Sequence, residues 1–593
     1  MNTRLLNRIL NMKTYANSEF DADVIISGLG PTGLTLANVL GKRGVNVIVL
    51  EREPEYYGNA RAVYTDDECM RIFQSFGLAD ELEKDMLMAI PFQFLLRDGS
   101  NLGQYYPQRK PFGWSIGNLF YQPYLETSLM NGLDRFDNVQ VRRGCEMTDF
   151  VQDHDTVEVS YVKSSGTAYG ADKPKESNSE QKTETIKAKY FVACDGGRSE
   201  TRSKLGIEMS GKSFPEPWLV VDIKVNEGED CLHHIPYFTF YCTPECPTVS
   251  CPQPNGHHRF EFMLTKGQTK EYMEDPATVR ELISRYVDPD KVTVLRRLVY
   301  TFNALMANEW REKRVFLAGD AAHMTPQFIG QGMNSGVRDA YNIGWKLAHV
   351  IQGKADASLL DSYQSERKDN AQSMIDIAIM MKNMVSLKNP VLASIRNVLS
   401  KGFLKFNVFQ NVLQNMRFKA SANFKRGKYA GQKRKGLRGV EGKLMPQPVI
   451  RATNGRQPLF DDISGDEYCL IGLGQDPRLG LSESNIKKLE ALGTKFIAVY
   501  EYAGRPQATP DVPTENPAGL IEVEDMSTTF IKWFKRSGRS TKVALVRPDN
   551  YVFATAKQST SNALVKDFLK QLGEPDMALI ENQSANNQLS KSA

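Results

Sequence analysis

The sequence predicts an α/β protein: a βαβ-built domain interleaved with a mostly antiparallel sheet, then a smaller α/β domain. Three observations carry this. A glycine-rich turn, Gly28-Leu29-Gly30-Pro31-Thr32-Gly33, follows a short apolar run and precedes a helical pattern. Two later apolar runs end at acids, Cys194-Asp195-Gly196-Gly197 and Gly319-Asp320-Ala321-Ala322-His323. Between those runs, residues 206–300 alternate apolar and polar positions in places, the period of a half-buried strand.

A chain of 593 residues exceeds one core, and two to four domains are expected. Hydrophobic residues make up 41% and charged residues 24%, an ordinary globular balance. A net charge of +4 gives no reason to expect nucleic-acid binding. No stretch approaches the ~20 apolar residues of a membrane span, so integral membrane association is not expected. Eight scattered cysteines without paired spacing fit a reducing, cytoplasmic setting. Residues 1–22 place Leu5, Ile9 and Met12 on one face beside Arg4, Arg8 and Lys13. Without an apolar h-region they read as a tail, or as preceding a true start at Met12, rather than as a signal or an amphipathic anchor.

Asp23 to Ser27 reads as a buried parallel strand, Thr32 to Gly41 as a helix, and Val45 to Leu50 as the next strand. Gly28 allows the tight turn, Gly30 admits a phosphate to the backbone, and Gly33 lets the helix pack on the strand. Pro31 opens the helix, whose N-terminus faces a pyrophosphate. Glu51 lies 23 residues after Gly28, where an acid binds a ribose hydroxyl pair, and Arg52 follows it. Val139 to Val141 and Thr156 to Val162 read as strands of a hairpin region, with a polar, disordered loop over 163–187. Tyr190 to Cys194 forms a strand ending at Asp195-Gly196. Trp218 to Ile223 and Arg259 to Met263 belong to the antiparallel sheet. Arg314 to Ala318 returns to a parallel strand ending at Gly319-Asp320. A helix from about Ser335 to Ile351 is expected, with Val337, Tyr341, Gly344, Trp345 and Ala348 inward. Residues 377–440 hold fourteen Lys and Arg and no acid, and read as a basic helical linker rather than a lipid or nucleic-acid patch. Strands near 468–472, 495–500 and 542–548 mark a domain over 441–580 that lacks Cys-x-x-Cys; 581–593 is a polar tail.

These acids point to a flavin. A nicotinamide dehydrogenase has no need of a ligand-binding acid as far along as Asp320. An extended FAD does, because its ribityl-pyrophosphate arm runs past several strand ends. Pro326 and the glycines after it let bare backbone approach the isoalloxazine. Main-chain N–H groups near Gly332-Met333-Asn334 would stabilise negative charge on the reduced ring.

With Arg61-Ala62, Asp66-Asp67-Glu68, Gln122-Pro123, Trp218 to Ile223, Arg259 to Met263, Leu317 to Lys346 and Met416 to Lys419, the chain resembles the class A, single-component flavoprotein aromatic hydroxylases. It is most similar to their 3-(3-hydroxyphenyl)propionate hydroxylase type, with phenol hydroxylases as more distant relatives. The resemblance spans about 22 to 570. It implies a Rossmann-like (GR2-type) FAD-binding domain over 23–90, 123–205 and 301–376. The substrate domain would be 91–122 and 206–300, and 441–580 a thioredoxin-like domain that often contributes to dimer contacts, hence a homodimer. It implies that Gly28, Gly30, Gly33 and Glu51 hold the ADP half of FAD, with Arg61 and Gln122 contacting the cofactor from the side. Asp195 belongs to a motif associated with FAD and NAD(P)H together. Asp320 would bind the ribityl or pyrophosphate region, and Pro326 would sit beside the ring. The implied reaction uses NADH or NADPH and O2 to hydroxylate a small phenol ortho to its hydroxyl, through a flavin C4a-hydroperoxide, giving a catechol. Resorcinol, another phenol or a polyketide are alternative substrates; a non-catalytic flavin-binding or membrane-associated interaction protein is the rival from another class.

Other residues carry two readings each. Asp66 and Asp67 assist phenol deprotonation or cap the following helix. His323 transfers protons or packs by the cofactor phosphates. Arg259 pairs a substrate carboxylate or a nearby acid. Tyr237, Phe238, Phe240 and Tyr241 line an aromatic pocket or fill the sheet core; Phe328 is a further substrate-side candidate. Cys231, His233, His234, Cys242, Cys246, Cys251, His257 and His258 lack the spacing of a standard zinc site, and no metal is expected.

Overall fold

Short apolar runs become the strands of a parallel sheet in the computed structural model. It describes residues 19–573 except 56–57, 59, 97, 108, 167–181, 215, 266, 404–421, 425–438, 507–518 and 539. The expectations for the start of the chain, the polar loop's centre, Met416 to Lys419, most of the basic stretch and the C-terminal tail lie outside the described residues. No helix among the described residues is long and apolar enough to cross a membrane. The chain divides into two compact units. The first is Met1–Lys110, Ser115–Ala340 and Ala371–Ser421; the second is Pro111–Trp114, Tyr341–Asn370 and Ala422–Ala593.

In the first unit, Val315–Leu317, Glu184–Ala193, Ala22–Ser27, Val47–Glu51 and Val139–Arg143 lie side by side, all parallel. Every residue of Ala22–Ser27 is buried, as expected of a central parallel strand. Glu184–Ala193 is longer than its apolar half suggested. Its polar first half turns antiparallel onto Val157–Lys163, which pairs with Cys145–Gln152. Val139–Arg143 leaves the expected hairpin region and extends the parallel sheet beside Val47–Glu51.

A second sheet runs Val292–Tyr300, Trp218–Val225, His257–Met263, Thr248–Pro252, Phe238–Tyr241, Phe92–Leu95, Asn101–Tyr105. All its pairings are antiparallel except Phe238–Tyr241 with Phe92–Leu95. One face carries Trp218, Phe238, Phe240, Val249 and Met263 into a cluster with Phe328; the other carries Phe260 and Phe262 into a cluster with Leu282 and Ile283.

The helix after the third motif starts at Gln331, not Ser335, and runs to Ile351. Gly330, left-handed at φ 60°, closes the preceding turn, so the helix absorbs the glycine-rich segment that reads as loop. Its residues from Asn334 to His349 are buried on every side, not along one inner stripe. A helix buried all round must pair its polar residues, and the pairs formed by Arg338 and Asp339 shape the site.

In the second unit Leu520–Asp525, Lys495–Glu501 and Cys469–Leu473 are parallel neighbours, flanked by antiparallel Ile450–Ala452 on one side and Val543–Val546 then Val552–Ala556 on the other. Trp345 and Leu359 share a buried cluster with Leu470, Leu545, Phe553 and Phe568. Buried Glu366 bridges Lys346 (2.8 Å) and Arg547 (2.7 Å), and Arg547 also holds Asp549 (2.6 Å).

Candidate functional site

The glycine-rich turn sits where Ala22–Ser27 hands over to the helix Pro31–Lys42. Its glycines are needed for different reasons. Gly28 has φ 99°, and a Cβ there would collide with the Cys194 carbonyl of the neighbouring strand end. A Cβ on Gly33 would strike the Gly28 carbonyl. Around Gly30 there is nothing within 4 Å of a built Cβ. Packing therefore dictates Gly28 and Gly33, while Gly30 borders open space at a helix N-terminus that has no side-chain cap. That is the cradle a pyrophosphate fits. Glu51 closes the turn: its carboxylate accepts from Leu29 N–H (2.7 Å) and Glu53 N–H (2.9 Å). Arg52 follows, half-buried, and its guanidinium lies 3.5 Å from Glu53.

Asp195 and Asp320 stand at the ends of the two neighbouring strands. Asp195 Oδ2 accepts from the Thr201 N–H (3.2 Å) and hydroxyl (2.9 Å), fixing the carboxylate. Its Oδ1 is buried and has no partner among the described residues, which leaves an acceptor for a ligand hydroxyl. Gly196 beside it is left-handed at φ 82°. Asp320 keeps its carboxylate exposed, yet surrounding protein desolvates it and holds its pKa above the ordinary value. Gly319, left-handed at φ 62°, packs against Thr32. An open cradle, an orphaned carboxylate oxygen and an exposed acid after the neighbouring strand fit an extended FAD.

The loop bearing Arg61 is clamped from two directions. Gln122 Oε1 accepts from the N–H groups of both Arg61 and Ala62 (2.6 Å each). From the antiparallel sheet, Arg259 donates to the Ala60 and Arg61 carbonyls, and Arg296 donates to the Ala60 carbonyl as well. Gln122 thus holds the loop rather than reaching past it, and Arg61 stays exposed.

Several expectations need correction. Arg259 is spent on protein groups: besides those carbonyls it grips Asp222 through two hydrogen bonds (2.6 and 2.9 Å), buried at 3% and 6% side-chain exposure. Burial alone would lower its pKa; Asp222 raises it above the ordinary value, so the pair stays ionic. The guanidinium meets an acid of its own chain, not a substrate carboxylate. Tyr241 lies on the far face, its ring tilted against Tyr286, while Phe238 and Phe240 pack inward against Phe92 and Phe94. The two-residue strand period puts Tyr241 opposite them, away from the aromatic wall that Phe328 joins. Asp66 caps the helix Asp67–Ser75 through Cys69 N–H (3.1 Å) and is gripped by Arg338. Asp67 is buried in that helix's first turn. Neither stands free to take a phenol proton.

His323 is buried; its Nε2 meets Asp339 Oδ2 at 2.6 Å, and its ring stacks on Trp310. Asp339 also accepts from Gly319 N–H (3.2 Å), so one carboxylate of the long helix sets the Gly319-to-His323 turn. Arg338, one residue earlier, ties Glu68 (2.9 Å), Gln331 (3.0 Å) and Asp66 together. Pro326 and Phe328 are buried; Gly332 and Met333 are half-buried in the helix's first turn. Asn334 spends its side chain on Thr65 Oγ1 (2.9 Å), the Tyr64 carbonyl (3.1 Å) and the Gly330 carbonyl (2.8 Å), leaving only main chain to serve a ligand. Residue-type reading missed Arg338, Asp339, Asp222, Arg296, Glu261 and Gln327 as site builders. The available signal was the charge of five of them inside apolar or strand-period segments.

The cysteines and histidines of residues 231–258 scatter. Cys242 and Cys251 join the inner cluster, Cys231 the outer one, and His258 pairs with Ser250 (2.8 Å).

Residues 21–378 match the FAD binding domain family, and residues 442–571 match the HcaD C-terminal domain family. The chain is 33% identical to the 3-(3-hydroxy-phenyl)propionate/3-hydroxycinnamic acid hydroxylase of Comamonas testosteroni, covering 94% of this chain and 98% of that one. It is 36% identical to the Shigella sonnei enzyme of the same name, covering 92% and 93%. Among solved structures, aklavinone-11 hydroxylase with FAD and aklavinone shares the fold at a TM-score of 0.72 and 22% identity, covering 94% of this chain and 99% of that one. The flavin-dependent monooxygenase PieE with FAD and substrate does so at 0.73 and 19%, covering 93% and 99%.

Proposed function

Since the chain belongs to the FAD binding domain family and is an FAD-dependent aromatic hydroxylase that uses NAD(P)H and O2, we propose that it hydroxylates a 3-hydroxyphenyl alkanoate or cinnamate ortho to the phenol, giving a catechol. The named candidates are 3-(3-hydroxyphenyl)propionate and 3-hydroxycinnamate, the compounds in the relatives' names. One observation carries the reading: the Pro326-to-Gly330 turn joins the aromatic wall to the first turn of the helix Gln331–Ile351. Phe328 lies edge-on to Trp218 (5.3 Å between centroids) within the inner cluster, and two residues later Gly330 hands over to the helix Gln331–Ile351. An aromatic substrate held on that wall meets whatever the turn abuts.

Bound FAD supplies the redox chemistry, passing two electrons from NAD(P)H to O2; one oxygen atom enters the ring and the other leaves as water. The chain contributes binding, orientation and exclusion of water. Gly30 and the first turn of Pro31–Lys42 take the pyrophosphate, Glu51 the adenosine ribose, and Asp195 and Asp320 the ribityl and pyrophosphate side. The first-turn N–H groups of Gly332, Met333 and Asn334, with the helix dipole behind them, stabilise negative charge on the ring. Trp218, Phe238 and Phe328 hold the substrate ring in an apolar wall. We read the parallel sheet as Rossmann-like and the second unit's sheet as thioredoxin-like; its cysteine, Cys469, is buried and far too basic a thiol for exchange chemistry. All eight cysteines are free, which suits work in a reducing cytoplasm.

The test is NADH and NADPH oxidation by the purified yellow protein, with and without each compound, following product mass. Stimulated oxidation with a gain of one oxygen is expected. Unstimulated oxidation with both compounds would overturn the substrate assignment and leave the flavin site standing.

A further inference from the structure

Glu261 lies in the middle of His257–Met263, one position along the inner face from Arg259. It is buried, and its Oε2 accepts from the side-chain amide of Gln327. Gln327 follows Pro326 directly and begins the turn Gln327–Ile329. The far end of that turn is held by the helix, through Asn334 and the Gly330 carbonyl. Glu261 therefore anchors its near end to the substrate-side sheet.

The surroundings make this carboxyl unusual. The titratable and charged groups about it are Arg259 on its own strand, Asp222 and Cys251 on the two strands beside it, and Arg296 on the strand beyond. Asp222 already neutralises Arg259. Among the described residues Glu261 has no cation of its own, and burial pushes it up to about 7, with Asp222 adding to the rise and Arg259 and Gln327 opposing it. Its only direct hydrogen-bond partner among those residues is the amide that sets the turn.

We propose that Glu261 is a positioning residue that, through Gln327, sets the Pro326-to-Gly330 turn and thereby the distance between the bound aromatic ring and the flavin. The inference rests on the reading that this turn lies beside the flavin. The ionised carboxylate accepts a charge-assisted bond and holds the turn firmly; the neutral acid accepts a weaker one or reverses the bond. The quantity it controls is coupling, the fraction of NAD(P)H oxidised that yields hydroxylated product, because a misplaced ring leaves reduced oxygen to escape. In the wild type, coupling rises through the neutral range with a single ionisation.

The experiment measures product per NAD(P)H from pH 5.5 to 8.5 for the wild type, Glu261→Gln, Gln327→Ala and the double variant, with FAD affinity measured in parallel. Glu261→Gln should lower coupling roughly threefold or more at pH 8, flatten its pH profile, and keep FAD affinity within about twofold. Gln327→Ala should reproduce both effects, and the double variant should be no worse than either single one. An unchanged profile in Glu261→Gln with a changed one in Gln327→Ala would overturn the role of Glu261 alone. Wild-type coupling and visible flavin spectrum in Gln327→Ala would overturn the placement of the turn beside the flavin. Additive losses in the double variant, or loss of FAD from Glu261→Gln, would reduce Glu261 to a structural residue and also overturn the inference.

Discussion

At Gly30 and Gly33, three residues apart, one substitution separates folding from binding. An alanine at Gly30 meets no protein atom and takes up φ −73° without strain. Gly30→Ala should cost below about 1 kcal/mol in urea unfolding of the apoprotein, the usual loss from a weaker N-cap, yet weaken FAD by roughly tenfold or more because the methyl occupies the phosphate cradle, a cost of about 1.4 kcal/mol. Gly33→Ala drives a methyl into the Gly28 carbonyl and should cost about 1–3 kcal/mol with no ligand present. Equal FAD affinity in wild type and Gly30→Ala would remove the pyrophosphate from this turn. Glu261 gives a stability signature too. Its folded pKa, about 7, lies above that of an unfolded glutamate, so its contribution is complete below about pH 4.3 and is lost as pH rises through 7. Wild type minus Glu261→Gln stability should therefore fall across that window; a difference that rises with pH would reverse the assignment.

Among the elements, the helix Gln331–Ile351 was the least legible in sequence and does the most positioning. Its apolar stripe was readable, but burial on every side was not, because periodicity records only the residues that need a core and is silent about charges buried in pairs. Gly332 reads as loop yet is helical, and Gly336 is a glycine inside the helix because Thr32 packs against it, a tertiary demand that overrides propensity. The largely apolar parallel strands Ala22–Ser27, Val47–Glu51 and Val315–Leu317 were legible to within two residues, since a continuous buried run has few other fates, whereas the polar half of Glu184–Ala193 and the pairing of Val139–Arg143 were not. The tight turn at Gly28 and Gly33 and the strand-end positions of Asp195 and Asp320 were legible because turn and strand-end geometry is local. For Arg259 and Tyr241 the sequence left two readings open, because the partner strand and the face, not the residue type, decide what each meets. The helix yields its own prediction. Arg338→Ala removes the guanidinium that grips buried Asp66 and Glu68, and should destabilise by about 3–5 kcal/mol in urea unfolding. A loss under about 1 kcal/mol would mean that those acids are neutral in the folded protein.

On the scale of the whole chain, the second unit is not the C-terminal segment alone. It takes in Tyr341–Asn370, the end of the long helix together with the start of the next one, and builds them into its core. Trp345 and Leu359 lie in one buried cluster with Leu470, Phe553 and Phe568, and Trp345 Nε1 donates to Asp549 (3.1 Å). Glu366 carries the electrostatics of that union. Burial would raise its pKa, but Arg547 and Lys346 hold it down to about 2, so it stays ionised through the physiological range. Lys346 is pushed the other way, to about 8, chiefly by burial. A carboxylate depressed to about 2 stabilises the fold fully above its unfolded pKa of about 4.3, and that contribution is lost as pH falls through 2. Glu366→Gln removes the acid that bridges both cations and leaves Lys346 buried without its carboxylate. A loss of about 3–5 kcal/mol at pH 7 is expected, shrinking as the pH is lowered toward 3. It should appear as a lower urea midpoint for the transition reported by Trp345, with the flavin absorbance of the folded protein intact. If the segment Tyr341–Asn370 were merely tethered to this unit, Glu366→Gln would instead leave that transition within about 0.5 kcal/mol of the wild type, the range of an ordinary surface change.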